Sequence, residues 1–303
     1  MSTASIARNP QPVSNSSTNS FDLLILGAGW TYTFLMPQLH HHKISYQATT
    51  RDGRRIPGLA KGTVPFTFDP ASDDVAPYHT LPSAGIVLIV FPLKGRGQST
   101  RLVEMYNKVH KEEAGRRRWI QLGSTGVWKG EGWLDRHSPV DMSSERAVAE
   151  EELLALVGKN ACILNLAGLW GGERNPRNWV SRVAKTKADV KGKGALHLVH
   201  GEDVARAIVG CLEEWEGVGA GRWIVCDLRT WDWWDLILGW EGGTKDARLG
   251  EGSNPEYGKW VLELMEEQEV RALPRGRELL GRCLDGREFW KKVGIVPRRT
   301  LLQ

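Results

Sequence analysis

The sequence predicts an α/β fold, in which a doubly wound parallel sheet carries a small C-terminal substrate-side lobe. Short aliphatic runs alternate with longer amphipathic stretches along the chain, and this alternation is typical of parallel strands connected by helices. The first aliphatic run leads into a glycine-rich turn. After about residue 240 the strand pattern stops, so we expect the last part of the chain to build the lobe.

The predicted elements follow one another in strand–helix order. Strands are predicted at residues 22–27, 45–50, 64–68, 85–91, 117–123, 161–166 and 222–227. Helices are predicted at about 30–42, 98–114, 142–158, 176–186, 201–214 and 231–239. Residues 241–255 indicate a Gly-rich loop, and 255–293 indicate helix. We therefore expect a nucleotide-binding domain at 21–240, whose segment 168–195 contributes to the lobe, and the rest of the lobe at 241–303.

The first twenty residues and the cysteines indicate the compartment. Residues 1–20 are rich in Ser, Asn and Pro without an apolar core, which is typical of a disordered tail and not of a secretory signal. Their single Arg8 and lack of acidic residues keep mitochondrial targeting open as an alternative to a cytoplasmic location. The four cysteines have no CxxC spacing, so neither a disulfide framework nor a zinc site is indicated.

Charge and hydropathy argue against several kinds of partner. A formal net charge of +4 is too small to indicate nucleic-acid binding. No run approaches the ~18 apolar residues of a membrane span. The consecutive His40, His41 and His42 resemble a metal site, but neighbouring helical residues point about 100° apart and cannot converge on one ion. We expect a small-molecule substrate, with no metal, membrane or nucleic acid.

The segment 22–30, DLLILGAGW, predicts the first strand and phosphate-binding turn of a Rossmann-type dinucleotide domain. Gly27 permits the tight turn, and Gly29 lets a pyrophosphate approach the helix that Trp30 and Thr31 open. Tyr32 replaces the third glycine of the usual motif, so the helix must pack differently or the tyrosine must point outward. A plain strand–helix turn is the alternative interpretation.

The tip of the second strand favours NADP over NAD. It ends at Thr50 and Arg51 instead of the carboxylate that usually bonds the ribose 2′-OH of NAD. A guanidinium can pair with a 2′-phosphate through two charge-assisted hydrogen bonds. Alternatively, Arg51 and its neighbours Arg54 and Arg55 form only a solvated loop. Pro92, directly after strand 85–91, completes the predicted cofactor-binding set.

Further motifs follow in a characteristic order. They are LGSTGVW at 122–128, LAGLWG at 166–171, RNP at 174–176 and LVHGEDVA at 198–205. In this order the chain resembles the extended short-chain dehydrogenase/reductase superfamily, in particular its atypical, NAD-dependent epimerase/dehydratase-like branch, over about residues 22–300. The resemblance implies an NAD(P)-binding oxidoreductase or epimerase-like enzyme for a small carbonyl, hydroxyl or sugar-type substrate. Because members often dimerise through the helices flanking the fourth and fifth strands, it also raises the option of a homodimer.

The resemblance also implies catalytic residues. Ser124 and Thr125 match the position that hydrogen-bonds the substrate oxygen. The Tyr-x-x-x-Lys pair of the next helix is replaced by Met142 and Arg146. Methionine has no proton to give, and arginine keeps its proton at any ordinary pH. Arg146 could still hold the ribose or stabilise an oxyanion.

Four residues are expected to face the substrate: Trp128, Arg174, Asn175 and His200. By resemblance, Trp128 either stacks on the substrate or fills the lobe interface. Arg174 offers a guanidinium for an anionic group. The Asp203 that follows His200 more often fixes the lobe than performs chemistry.

Two other features have competing interpretations. Asp135 and His137 could act as an acid/base pair, or belong to an ordinary surface loop. Trp231 and Trp234, three residues apart, are predicted to share one helix face packed on the sheet, with a carbohydrate-binding surface as the alternative.

Three functions therefore stay open. The first is an NADP-dependent oxidoreductase or epimerase-like enzyme with a non-standard active site. The second is a non-catalytic NADP-binding sensor or scaffold. The third is a redox-neutral isomerase or cyclase on the same fold.

Overall fold

The structure is a computed structural model that describes residues 20–59, 62–241 and 256–302. The predicted disordered tail, apart from Ser20, and most of the predicted Gly-rich loop lie outside the described residues. Its strands are β1 (Ser20–Leu26), β2 (Tyr46–Thr50), β3 (Val64–Pro65), β4 (Ser83–Ile89), β5 (Arg118–Ser124), β6 (Gly132–Leu134), β7 (Ala161–Leu166), β8 (Gly168–Trp170), β9 (Ala195–Leu196), β10 (Leu198–His200), β11 (Gly221–Val225), β12 (Trp231–Asp232) and β13 (Arg282–Leu284).

The helices lie between these strands. They are α1 (Trp30–His41), α2 (Ala76–His79), α3 (Gln98–Val109), α4 (Glu145–Val157), α5 (Val180–Val183), α6 (Lys187–Lys191), α7 (Gly201–Glu213), α8 (Trp215–Val218), α9 (Trp233–Glu241), α10 (Glu256–Glu267) and α11 (Arg287–Lys292). Among the described helices, none combines the length and apolar character that crossing a bilayer requires.

The central sheet confirms the predicted doubly wound α/β class. Within the described residues it has seven parallel strands in the order β11-β7-β5-β4-β1-β2-β3. The chain reverses its direction of sheet growth between β1 and β4, and nucleotides bind at such a switch point, beyond the carboxyl ends of the strands. The predicted glycine turn therefore lies where this fold places its ligand.

Both faces of the sheet are covered, as the aliphatic runs predict. In β1, Leu23 and Ile25 pack into one apolar cluster with helices α1 and α7. Leu24 and Leu26 pack into a second cluster that includes residues of α3 and α4. Because alternate residues of a strand point to opposite faces, a strand buried on both sides needs apolar residues at every position.

The lobe has its own apolar cluster, which includes Val180, Val190, Trp234, Tyr257 and Val261. It also holds a buried ion pair, in which Arg275 Nη2 lies 2.6 Å from Asp232 Oδ1. Two-stranded pairings of β6 with β13, β8 with β10 and β9 with β12 join distant segments.

Several predicted elements differ in extent, and three of them differ most. The helix predicted over 255–293 ends at Glu267, because Glu269 adopts φ +54°, outside the right-handed helical region, and it is followed by β13 and α11. The strand at 64–68 keeps only Val64–Pro65. The helix at 176–186 is a 3₁₀ turn followed by the short α5.

The tryptophan pair also differs from its prediction. Trp231 belongs to β12 and donates to Asp227 Oδ2 at 2.9 Å, whereas Trp234 lies in α9 and donates to Val190 O at 2.8 Å. They share no helix face because α9 begins only at Trp233. Trp234 packs within the lobe cluster instead of on the central sheet.

Candidate cofactor and substrate site

A cavity of about 910 Å³ opens at the switch point of the sheet. Its walls come from the turn after β1, the tip of β2, the segment after β3 and the segment after β4. They include Gly27, Ala28, Gly29, Thr49, Thr50, Arg51, Asp52, Arg54, Phe66, Phe68, Phe91, Pro92, Lys94 and Gln98. Five of the seven predicted cofactor residues, namely Gly27, Gly29, Thr50, Arg51 and Pro92, therefore line one cavity.

The glycine turn leaves the start of α1 open. Gly27 has φ +102°, a conformation that favours glycine, and its N–H donates to Thr49 Oγ1 at 3.0 Å. A side chain at Gly29, which precedes α1, would meet nothing within 4 Å. No side chain in the described part of the structure caps this helix, and no acidic residue lies in its first turn. Free N–H groups and the helix dipole at this end favour an anion.

Positive charge predominates at the tip of β2. Arg51, Arg54 and Lys94 line the cavity together with one carboxylate, Asp52. Asp52 accepts the backbone N–H of Arg54, which holds the pKa of this carboxyl below its usual value. Among the described residues, Arg51 has no carboxylate within 4.0 Å, so its guanidinium is available to a ligand.

Aromatic rings form another wall of the cavity. Phe68 and Phe91 stack with 5.8 Å between ring centroids and 18° between ring planes, and Phe66 lies on the same wall. Flat apolar surfaces of this kind suit a planar ring system.

Trp30 and Thr31, the other two predicted cofactor residues, do not line this cavity. Thr31 is buried. Trp30 turns toward the lobe, where its Nε1 donates to Gly171 O at 3.1 Å. The guanidinium of Arg174 lies 4.3 Å from the centroid of the Trp30 ring. Arg174, which was predicted to bind an anionic group, lies at the border between the turn and the lobe, and its side chain is exposed.

Tyr32 points inward, so of the two predicted alternatives the structure has the one in which helix α1 packs differently. Its side chain is buried between α1 and the segment that follows β2, and its hydroxyl donates to Pro57 O at 2.9 Å. The Tyr46 hydroxyl lies 3.4 Å away. Burial raises the pKa of Tyr32. The ring occupies space beside the helix and does not enter the cofactor cavity.

Ser124 and Thr125 lie at the carboxyl end of β5. The Ser124 hydroxyl accepts the N–H of Gly126 at 3.2 Å, which folds the loop back on itself. Thr125 is buried.

A polar network that the sequence analysis missed supports this strand end. Asn165 of β7 donates to Ser124 O at 3.2 Å and to Glu150 Oε1 at 2.8 Å. The opposite oxygen of Glu150 accepts from Arg222 Nε at 2.9 Å. Burial raises the pKa of Glu150. One signal could have revealed the network, namely the single polar residue Asn165 within the apolar run ACILNL.

Met142 and Arg146 do not form the pair that the resemblance aligned. The predicted helix over 142–158 begins only at Glu145, because Asp141 Oδ1 accepts the Ser143 N–H and holds the preceding residues in a turn. Met142 is 49% exposed in a groove beside α3 and α4. Neither residue lines the cofactor cavity.

The remaining predicted substrate residues have structural roles. Trp128 is fully buried and donates to Ser138 O at 3.1 Å, so it fills the interface and presents no face to a substrate. Asn175 Oδ1 accepts the Arg177 N–H and caps a 3₁₀ turn. His200 Nδ1 accepts the Glu202 N–H and caps α7.

Asp203 fixes the end of the chain, as expected for the helix-opening motif. Its buried carboxylate accepts hydrogen bonds from the backbone N–H groups of Arg298 and Arg299 and from the side chain of Arg206.

Asp135 and His137, the alternative acid/base pair, lie in a surface turn. Asp135 accepts the backbone N–H of His137, and the His137 imidazole contacts Glu288 instead of Asp135. The described residues hold no cluster of three or more potential metal ligands.

The comparisons with known proteins extend the fold assignment. No protein-family model matches the sequence, and no curated protein does. Among solved structures, UDP-glucose 4-epimerase from Bifidobacterium longum in complex with NAD+ and UDP is similar at TM-score 0.60, with 14% identity over 93% of this chain and 94% of that one. UDP-N-acetylglucosamine 4-epimerase from Bacillus cereus gives TM-score 0.57, with 9% identity over 92% and 94%.

A third similar structure is human epimerase family protein SDR39U1 (isoform 2) with NADPH, at TM-score 0.51 and 15% identity over 89% of this chain and 93% of that one. These likenesses show that the chain has the fold of NAD-dependent epimerase-like proteins. They confirm the Rossmann-type fold that the glycine turn and the order of motifs predicted.

Proposed function

We propose that this chain is an NADP-dependent oxidoreductase or epimerase-like enzyme that acts on a small carbonyl, hydroxyl or sugar-type substrate. The observation that carries the proposal is the uncapped start of α1 at Gly29, which opens into the same cavity as Arg51. An anion at the helix start and a second anion at the β2 tip match the pyrophosphate and 2′-phosphate of NADP.

The residues of the cavity fit the cofactor in its three parts. The N–H groups after Gly29 would hold the pyrophosphate, Arg51 and Arg54 the 2′-phosphate, and the phenylalanine wall the adenine ring. When bound, a nicotinamide cofactor supplies or accepts a hydride. Similar folds hold NAD+ in the bacterial UDP-glucose 4-epimerase and NADPH in the human protein. The Ser124 hydroxyl would orient the substrate oxygen at the end of β5.

One observation favours a second candidate, a non-catalytic NADP-binding sensor or scaffold. Met142, aligned with the usual proton donor, precedes α4 and lies outside the cofactor cavity. Without a donor near the reacting carbon, cofactor binding need not lead to hydride transfer.

Calorimetric titration with NADPH and NADH tests the cofactor. In Arg51→Gln the affinity for NADPH should fall about 10-fold or more, since a charge-assisted hydrogen bond contributes about 1.5–3 kcal/mol, while the affinity for NADH should not change. Arg55→Gln is the matched control, because Arg55 lies in the same loop but does not line the cavity. Failure of the unmodified protein to bind NADPH would contradict the proposal.

Turnover separates the two candidates. If the chain is an enzyme, NADPH oxidation with a panel of aldehydes, ketones and sugar nucleotides should be detectable and should be abolished in Ser124→Ala. Tight NADPH binding without turnover across the panel would favour the sensor.

We also propose that the chain forms a homodimer. Met142 and Leu156, which are 49% and 40% exposed, line a groove beside α3 and α4, the helices that follow β4 and β5. Light scattering coupled to gel filtration should give twice the mass of one chain, and Leu156→Glu should give the monomer.

A further inference from the structure

Arg282 joins the C-terminal lobe to the loop that follows Ser124. It begins β13, and its Nη1 donates to Thr125 O at 3.0 Å and to Trp128 O at 2.7 Å. The residue is only partly exposed. A guanidinium from the far end of the chain thus lies beside the predicted substrate-orienting residues.

This cation has no counter-charge in the described part of the chain. No carboxylate there lies within 4.0 Å of its guanidinium, and the carboxylate three residues later, Asp285, is paired with Arg287 at 2.6 Å. Its neighbour His197 is neutral, because Nε2 accepts the Leu284 N–H at 3.1 Å and Nδ1 donates to Arg229 O at 3.0 Å. Among the described residues, no negatively charged group therefore offsets the positive charge of Arg282.

The free edge of the guanidinium has a defined shape. Both hydrogen bonds to the loop come from Nη1, and no acceptor for Nε or Nη2 lies within hydrogen-bond distance among the described residues. Nε and Nη2 form the side of a guanidinium whose parallel N–H groups match the two oxygens of a carboxylate or phosphate. The bonds from Nη1 hold that side in a fixed orientation.

Leaving a half-buried cation unpaired is unfavourable. Burial lowers the pKa of Arg282, which reflects the cost of removing its charge from water. Buried charges in proteins are normally paired, so an unpaired one beside a substrate loop is explained when a ligand brings the opposite charge. The two carbonyls that Arg282 contacts, those of Thr125 and Trp128, do not require a cation, because a neutral donor can also satisfy a carbonyl.

We propose that Arg282 binds a carboxylate or phosphate group of the substrate, and that this residue restricts the enzyme to anionic substrates. The inference rests on the proposed function and adds a substrate class to it. Ser124 would hold the reacting oxygen, and Arg282 would hold the anionic group at the lobe side of the same loop.

The test uses the full chain with saturating NADPH, so that the cofactor occupies the other phosphate-binding positions. Inorganic phosphate and acetate are the probes, and binding is read from the rise of Tm with probe concentration. For at least one probe, Arg282→Gln should raise the apparent Kd about 10-fold or more, and Arg282→Lys should raise it less. Arg287→Gln, which removes the same charge from an exposed position, should leave it unchanged.

A second measurement needs no variant. Phenylglyoxal modifies accessible arginines, and peptide mass spectrometry should show that phosphate or acetate slows modification of Arg282 but not of Arg287. Protection by phosphate alone would indicate a phosphorylated substrate, and protection by acetate a carboxylic acid. Equal modification with and without either probe would overturn the inference. NADPH affinity is measured separately, so loss of cofactor binding with intact protection would refute only the proposed function.

Discussion

The guanidinium of Arg174 lies over the indole ring of Trp30, 4.3 Å from the ring centroid, while the same indole donates to Gly171 O at 3.1 Å. These contacts join the turn of the proposed cofactor site to the first loop of the lobe. The adjoining packing is tight, since a side chain at Gly171 would collide with the His200 imidazole. The start of α1 and the lobe are therefore expected to respond together to a ligand at either one.

Substitution of Trp30 tests this connection. Trp30→Phe keeps a ring for Arg174 but removes the donor to Gly171, so it should cost about 0.5–1.5 kcal/mol of unfolding free energy. Trp30→Ala should cost more, because it also removes the cation–π contact, which contributes about 0.5–1 kcal/mol at exposed sites. Urea unfolding measures both losses. The control is Trp133→Ala at a 56% exposed tryptophan, and equal effects of Trp30→Ala and Trp133→Ala would contradict the prediction.

The fold and the cofactor turn could be predicted from the sequence, because aliphatic periodicity and a glycine turn are local signals. Arg51 and Pro92 line the same cavity because strand ends in a parallel sheet meet at one edge, and their role in binding a cofactor stays a prediction. The contacts between distant segments at the candidate site could not be predicted. Arg282 and Thr125 lie 157 residues apart in sequence, and no local pattern encodes such a contact. The sequence left two alternatives open for Trp128, because the motif gives its position but not its burial.

Tyr32 gives a prediction about the missing third glycine. Tyr32→Phe should cost about 0.5–1.5 kcal/mol, since it loses the hydrogen bond to Pro57 O. Tyr32→Gly restores the common motif, yet it should cost about 3–5 kcal/mol for the lost ring and about 1 kcal/mol more for glycine in a helix. NADPH affinity should be unchanged in Tyr32→Phe. A stable Tyr32→Gly protein with tighter NADPH binding would mean that the tyrosine obstructs the cofactor.

Gly123 is predicted to be intolerant of any side chain. A Cβ there would overlap Asn165 Nδ2 and Glu150 Oε1, the buried network beneath Ser124. Gly123→Ala should therefore destabilise the fold by about 1–3 kcal/mol, as overpacking does in a filled core. Gly115→Ala is the control, because a Cβ at Gly115 meets nothing within 4 Å. In urea unfolding, Gly123→Ala should be less stable than Gly115→Ala. Equal stability of the two variants would show that the side chains of Asn165 and Glu150 can move aside without lowering the free energy of unfolding.

His197 predicts how stability depends on pH. Burial lowers its pKa to about 4 from an ordinary 6.5, so the folded state binds the proton more weakly than the unfolded chain does. The neutral imidazole therefore stabilises the folded state fully above pH 6.5. This stabilisation is lost as the pH falls toward 4, and the loss of unfolding free energy is about 3 kcal/mol for a pKa shift of this size. Asp227 acts in the opposite sense. Burial raises the pKa of its carboxyl to about 6, so its contribution to the stability of the fold is lost as the pH rises from 3.8 to 6.

The comparison of wild type with His197→Gln isolates the histidine, since Asp227 is common to both. Glutamine can donate to Arg229 O and accept from the Leu284 N–H, as the neutral imidazole does. Between pH 7 and pH 4.5, unfolding in urea should show wild type losing about 2–3 kcal/mol more than His197→Gln. His137→Gln, at a side chain that is 67% exposed, should follow wild type. If His197→Gln also followed wild type, acid would destabilise the protein through other groups, and the imidazole would be charged in the fold despite its two fixed hydrogen bonds.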